Sequence, residues 1–393
     1  MVTLKSLRVS PEAQLRQLDW GWMLGRDTMK YLTNDVVLLK NPEAETYRDA
    51  ANQLYDMFVE AGQDIIDNNR FKELGIPENL IELIKLSWED DRNLHLYGRF
   101  DLSGGVDGKP IKLIEFNADT ATCLPETAVV QWAHLKANDL DDSLQFNSLY
   151  ESLVDNFRVL KDLNPDLEPA LLLSAMRDYP EDDSNIAVLA EAAREAGFEV
   201  AIKYVDEIEF SAEEGIFINN EQGGYEYFPF WFKLIPWEYI AYDEPELVDI
   251  LTKIVKKRKA VVINPAYTLL FQSKGLLKLL WDRFPFHPLL LQTDVVPLSY
   301  KDHVEKVMFG REGANIRIMD VFGNVLQEAG GDYDEGRKVY QEYTEFVQDD
   351  KGNRYQAGVF FAGGACALGF RRGGKIIDNT AQFTGHMIDY LAI

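Results

Sequence analysis

The sequence predicts an α+β protein built from closely joined α/β lobes, and three observations lead there. A β-α-β passage occupies the middle of the chain, with "PALLLSA" as strand, "DSNIAVLAEAAREAG" as helix and "FEVAIKYV" as strand; such units make layered α/β sheets. The final third, from "VEKVMFGREGANIRIMDVFG" to "YQAGVFFAGGACALGFRRGGKIID", alternates short apolar runs with glycine-bearing turns and reads as strands. No internal repeat, low-complexity tract or flexible linker interrupts these parts, so the lobes should pack directly on one another.

Each element follows in order. Residues 44–69 predict an amphipathic helix, because Tyr47, Ala51, Leu54, Phe58, Ala61 and Ile65 recur at three- and four-residue spacing. Residues 78–88 predict another. From 96 to 117 the pattern changes to "LYGRFDL", a turn "SGGVDGKP" and "IKLIEFN", two short β runs forming a hairpin. A helix begins in "LPETAVVQWAHLKAND", with Pro125 in its first turn. In the β-α-β passage Asp183 or Ser184 caps the helix and Gly197 stops it. The aromatic stretch "YFPFWFKLIPWEY", residues 227–239, packs between lobes, and "SKGLLKLLWDRF" predicts a further helix.

Composition bounds the function. A chain of 393 residues that is 46% hydrophobic buries a sizeable core. Lys plus Arg number 40 against 65 Asp plus Glu, a net charge of −25 that excludes a nucleic-acid binder working by phosphate neutralisation. The acidity suits a cationic partner or simply keeps the surface soluble. Cys123 and Cys366 alone give no disulfide framework, which fits a reducing, cytoplasmic setting. The first twenty residues lack the apolar core of a signal peptide, and no run approaches the ~20 apolar residues of a membrane span. No CxxC or HExxH spacing points to zinc.

The hairpin carries the chemistry. Side chains alternate faces along a strand, so Arg99 and Asp101 share one face of the first run and Glu115 and Asn117 one face of the second. If Asp101 lies opposite Glu115, Arg99 lies opposite Asn117 and all four converge. Two carboxylates and an amide carbonyl form a hard-oxygen set suited to Mg²⁺, and an adjacent arginine holds phosphate oxygens. The competing reading is an ion-pair ladder across the hairpin, and a bulge near the turn would change the register. Thr120 and Thr122, just before a helix start, bind a substrate carboxylate or cap the helix. In "KVMFGREGANIRI", Gly310 and Gly313 let backbone amides approach an anion while Lys306 and Arg311 supply positive charge. This is not a Walker A loop. Lys274, at a helix start, is a second candidate phosphate ligand. Cys123, His134 and His386 read as structural rather than catalytic, since no His neighbours the thiol in sequence.

At these residues the chain resembles the glutathionylspermidine synthase family, in its stand-alone form without the amidase domain. "GRFDL", "KLIEFNADTAT", "DYPEDDSNIAVLAEAAREAGFE", "FKLIPWEY", "SKGLLKLLWDRFPFHPLLL", "GREGANI" and "LGFRRGGKIIDNTAQFTGH" carry the likeness, in the family's order from about residue 12 to the C-terminus. The resemblance implies an ATP-grasp-type ligase fold, glutathionylspermidine synthetase-like. It would divide as 1–165, a helical region with the metal-binding hairpin; 166–245, an α/β pre-ATP-grasp lobe; and 246–393, a nucleotide lobe with the C-terminal strands. It implies ATP and two magnesium ions held at Asp101, Glu115 and Asn117, with Arg99 assisting phosphoryl transfer. Lys274, Lys306 and the turn carrying Arg311 would bind ATP phosphates, Lys338 and Gln341 would fall at the adenine-side hinge, and Thr120 and Thr122 would face the peptide substrate. Either Arg371 or Arg372 matches an arginine that closes on phosphate.

The activity so implied is ATP-dependent carboxylate–amine ligation through an acylphosphate. Its partners would be a small-molecule or short-peptide carboxylate such as glutathione and an amine or polyamine. Bifunctional relatives carry an N-terminal amidase domain that this chain starts too late to contain, so no hydrolytic half-reaction is expected. Neither glutathione nor polyamine contacts form a recognisable motif. A nucleotide-binding protein of the same fold without turnover, a phosphotransferase, and a plain interaction protein are the rival readings.

Overall fold

The apolar stripe over 44–69 forms a helix, Asn41–Asn68, and Tyr47, Ala51, Leu54, Phe58, Ala61 and Ile65 are all buried along it. Glu43 closes its first turn by accepting the Lys40 backbone N–H at 2.9 Å, and Asn69 ends it in the left-handed region. The second expected helix is Ile81–Glu89. These elements belong to a computed structural model that describes every residue except 26–29, 221–222, 312, 332–335 and 391–393. Glu312 of the Gly-Arg-Glu-Gly turn therefore lies outside the described residues.

The β-α-β passage forms as expected. Ala170–Ala175 and Glu199–Tyr204 pair in parallel around the helix Pro180–Glu195, and Phe230–Lys233 and Val261–Ile263 extend the parallel sheet. Phe230–Lys233 comes from the aromatic stretch and is buried at every position, as parallel strands covered on both faces must be. One expectation fails here. Pro180, not Asp183 or Ser184, opens the helix, so both of those residues sit inside it. A proline already holds the helical φ and has no N–H to leave unpaired, and Glu181, Asp182 and Asp183 then complement the helix dipole. Gly197, at φ +90°, terminates it as expected.

Two larger antiparallel sheets follow, beside two three-stranded ones, among the described residues. One is ordered Thr293–Asp294, Lys338–Glu342, His303–Val307, Ile316–Met319, Val325–Ala329. The other runs Gln382–Thr384, Ala365–Gly373, Arg354–Phe361, Gly98–Ser103, Lys112–Asn117. The hairpin of the first third is thus hydrogen-bonded to strands of the last third, and Asp35–Lys40 likewise pairs in parallel with His386–Asp389. The ends of the chain are stitched together, so the division at 165 and 245 is a proposal about lobes rather than about sheets.

The hairpin register is the one the alternation requires: Arg99 opposite Asn117 and Asp101 opposite Glu115. Phe100 and Phe116 fix it from the opposite face, stacked with ring centroids 3.8 Å apart and packed edge-on against Phe58 of the long helix. A one-residue slip would drive those rings out of the core and the charged side chains into it. A bulge does occur, between Asp101 and Leu102 in the pairing, where Leu102 faces Leu113 and Ile114 is the extra residue. It sits on the turn side of the polar quartet and leaves the quartet's register intact.

Candidate functional site

The two antiparallel sheets and the parallel layer enclose a cleft of about 710 Å³. Arg99, Asp101, Glu115 and Asn117 line it from the hairpin, Lys306 and Gln341 from the facing sheet, and Arg311 and Gly313 from the turn after His303–Val307. Thr120, Thr122 and Arg371 line it as well.

The hairpin residues are already in contact. Arg99 donates from Nε to Asp101 Oδ1 at 2.7 Å and from Nη1 to the Thr122 carbonyl at 2.7 Å. The Asn117 amide lies 3.1 Å from Asp101 Oδ2, an orientation that a flip would reverse to present its oxygen. Lys274 Nζ sits 3.1 Å from Glu115 Oε2 and donates to the Gly310 carbonyl at 2.6 Å. Lys306 Nζ donates to Gln341 Oε1 at 2.7 Å and to the carbonyl of the bulged Ile114 at 3.2 Å. Burial pushes the Glu115 carboxyl up, but Lys274 and Lys306 outweigh it and hold the group below the usual carboxylate range. Burial brings the Lys306 ammonium down to about 8, against the opposing charge of Glu115.

Three cations thus meet two carboxylates: Arg99 pairs with Asp101 and Lys274 with Glu115, whereas Lys306 donates only to neutral oxygens, and Lys274 stands behind Glu115 outside the cleft lining. Among the described residues no three His, Cys, Asp or Glu side chains come together as a metal cage. A magnesium ion would depend on Asp101, Glu115 and Asn117 together with phosphate oxygens and water, a donor set whose hardness fits that ion.

Parity along the strands separates the remaining candidates. On Lys338–Glu342, Gln341 faces inward and is buried, whereas Lys338 stands on the opposite face, ion-paired with Glu305 at 2.8 Å and outside the cleft lining. The segment just beyond, Glu342 to Thr344, does line the cleft, beside the apolar Ile114, Val304, Ile316, Ile318 and Phe346. On Ala365–Gly373, Arg371 faces the cleft and donates from Nη2 to the carbonyls of Asp378 and Ala381. Arg372 points the other way, toward Asp35 at 3.8 Å and Asp349 at 4.0 Å. Neither threonine caps a helix, because the helical segment starts at Pro125 behind Leu124 with no side-chain cap.

Sequence reasoning missed the function of the last carboxylate in "IEFNAD". Asp119 is completely buried and faces away from the hairpin cluster, accepting from Lys233 Nζ at 2.9 Å and from the Trp237 backbone N–H at 2.9 Å. Burial pushes the Asp119 carboxyl up and the Lys233 ammonium down, each toward its neutral form, while the partner's charge opposes both shifts. One residue on, Glu238 Oε1 lies 2.5 Å from Arg311 Nη1. Two ion pairs thus run from the end of the hairpin to the glycine-rich turn. Tyr31 and Glu126 were missed as well: Tyr31 lies far from the motifs in sequence, and Glu126, four residues after Thr122, read only as part of a helix start. His386 is structural: buried and held near 3, it accepts the Phe146 backbone N–H at 2.8 Å.

Comparison with known proteins identifies the family. A family model described as glutathionylspermidine synthase preATP-grasp matches residues 2–389. The chain is 32% identical over 358 residues to a Haemophilus influenzae protein carrying the name "Putative acid--amine ligase", covering 88% of this chain and 87% of that one. It is 26% identical over 371 residues to the bifunctional glutathionylspermidine synthetase/amidase of Escherichia coli and 26% over 318 residues to the trypanothione synthetase of Crithidia fasciculata. It spans 56% and 48% of those two proteins. Among solved structures, a glutathione synthetase-like effector from Globodera pallida in its apo form superposes with a TM-score of 0.58 at 11% identity, over 97% of this chain and 98% of that one, a likeness of fold.

Proposed function

The chain belongs to the glutathionylspermidine synthase preATP-grasp family, a family of ATP-dependent acid–amine ligases, and from that premise we propose that it joins a carboxylate to an amine through an acylphosphate. The observation that carries the proposal is the convergence of Arg99, Asp101, Glu115, Asn117 and Lys306 on one cleft, with Lys274 paired to Glu115 behind its wall. Phosphoryl transfer asks a protein for positioning and charge rather than for a covalent nucleophile. These side chains supply both.

In this reading the apolar patch of Ile114, Val304, Ile318 and Phe346, beside the 342–344 segment, takes the adenine. Lys274 and Lys306 then meet the phosphates at the mouth of the hairpin. Asp101, Glu115 and Asn117 would hold Mg²⁺, which when bound neutralises phosphate charge. Arg99 orients the donor carboxylate and steadies the phosphoryl group passing to it. Thr120, Thr122 and Arg371 sit on the side where the donor must lie.

The donor is a short-peptide carboxylate such as glutathione and the acceptor an amine or polyamine, as the names of these relatives suggest. Carboxylates of Glu181, Asp182, Asp243 and Glu244 on the cleft wall favour a cationic acceptor. The test is phosphate release from Mg-ATP, scanned over carboxylate donors crossed with amines. Release that requires one donor and one amine is expected. A phosphorylated product without phosphate release would identify a phosphotransferase, and ATP binding without release from any pair would identify a nucleotide-binding protein without turnover.

A further inference from the structure

The wall of the cleft beyond Arg99 holds a carboxylate with an unused oxygen. Glu126 sits in the first turn of the helical segment that opens at Pro125 and is only 3% exposed. Its Oε1 accepts the Tyr31 hydroxyl at 2.5 Å. Its Oε2 is buried with no hydrogen-bond partner among the described residues, although the side chain lines the cleft. Two guanidinium groups are near enough to act on its charge, yet neither binds it. Arg99 is committed to Asp101 and the Thr122 carbonyl, and Arg371 to the carbonyls of Asp378 and Ala381.

A second unused group adjoins it. Arg371 Nε is also buried without a partner, and Cys123 lies between the two, 4.0 Å from the Tyr31 hydroxyl and 3.9 Å from Arg371 Nη1. Leaving a buried polar atom unsatisfied is costly. An acceptor and a donor left open side by side on a cleft wall make sense where a ligand completes both: an anionic oxygen against Arg371 and an N–H against Glu126.

We propose that Glu126 is the base that receives the amine substrate as its ammonium, its Oε2 accepting an N–H and taking that proton so that the lone pair is free to form the C–N bond. The inference rests on the ligase reading above. The ammonium gives one N–H proton to Oε2, the freed lone pair attacks the acyl carbon, the bond from that carbon to the phosphate oxygen breaks with its electron pair leaving on phosphate, and the second N–H proton leaves with that phosphate. A carboxyl held up by burial, and surrounded by Tyr31, Cys123, Arg99 and Arg371, suits proton transfer near neutral pH better than a solvated one.

The test separates the two halves of the reaction. With the donor and amine defined by the phosphate-release scan, wild type and Glu126→Gln are compared in amide formation and in trapping of the acylphosphate by hydroxylamine, a small amine already neutral at working pH. Glu126→Gln is expected to lower amide formation about 10²–10⁴-fold, the usual contribution of a positioned base, while hydroxamate formation falls several-fold at most. Parallel loss of both products, or an unchanged amide rate, overturns the assignment. Should Glu126→Gln not fold, Tyr31→Phe decides the matter: removing the hydroxyl that stabilises the carboxylate should move the acidic limb of the amide-forming pH profile to higher pH, and an unmoved limb overturns the assignment. Wild type that yields neither phosphate nor hydroxamate with any carboxylate removes the ligase reading and this assignment together.

Discussion

Nucleotide binding should be linked to proton uptake through Lys306. This ammonium is buried, shares the site with Lys274, and stands at about 8 against an ordinary value of 10.5. Keeping it charged there therefore costs about 3 kcal/mol, at 1.36 kcal/mol per pH unit. A polyphosphate beside it favours the charged form and brings the proton back. At pH 8.5 roughly three-quarters of Lys306 is neutral, so binding of Mg-ATP should take up about 0.75 proton, and at pH 7 about 0.1. Calorimetry in two buffers of different ionisation enthalpy reads this number directly. Affinity should also fall with rising pH above 8, approaching tenfold per unit. Lys306→Met should abolish the uptake and weaken binding about 10–100-fold at pH 7, the loss of one hydrogen bond to a charged group. Binding enthalpies independent of buffer at pH 8.5, or an unchanged uptake in Lys306→Met, would refute the placement of Lys306 against phosphate. The sign for the unliganded protein is also fixed. Between pH 8 and 10.5 the unfolded chain binds more protons at this lysine than the folded one, so the Lys306 contribution to stability is unfavourable below 8 and recovers as pH rises through that window.

Glu115→Gln should abolish ATP turnover while leaving the fold intact, since the amide still fits beside Lys274; normal turnover in a well-folded variant would end the metal assignment. Asp119→Ala leaves Lys233 buried and uncompensated, and urea unfolding should show a loss of about 3–5 kcal/mol. Asp119→Leu combined with Lys233→Met should restore much of that, and a single variant as stable as wild type would show the pair to be dispensable. Arg371→Lys should lower turnover at least tenfold with little change in melting temperature, whereas Arg372→Lys, facing Asp35 and Asp349, should leave turnover within about twofold. Gly313 sits at φ +68°, and an added Cβ would come within 2.6 Å of the Ile377 carbonyl, so Gly313→Ala should weaken Mg-ATP binding in titration by displacing the turn.

The sequence was most legible where local pattern and tertiary need coincide. In "GRFDL" and "IEFN" the alternation places Phe100 and Phe116 on one face and the polar quartet on the other, and both faces demand the same register. Period alone therefore recovered the hairpin. It failed where the deciding partner comes from elsewhere in the chain. Pro180 starts its helix three residues ahead of the polar residues that looked like caps, and Lys338 shares a strand with Gln341 yet faces Glu305. Parity along "KVYQE" already sets 338 and 341 on opposite faces, a signal present in the sequence but unused.

Glu126 and Asp119 show a different limit. Both are acidic residues next to apolar ones, and nothing in composition or spacing says that one keeps an open oxygen and the other is fully paired. The distinction arises from what the fold brings up against them: Lys233 and the Trp237 N–H for Asp119, but a single tyrosine hydroxyl for Glu126. A buried carboxylate with both oxygens satisfied ties parts of the fold together, and here it fixes the end of the hairpin to the strand Phe230–Lys233. A carboxylate with one oxygen unsatisfied pays a desolvation penalty that a bound donor would remove. The same residue type thus serves as an anchor at 119 and is left free to meet substrate at 126. Hydrogen-bond accounting over the folded chain, rather than any motif, is what tells them apart.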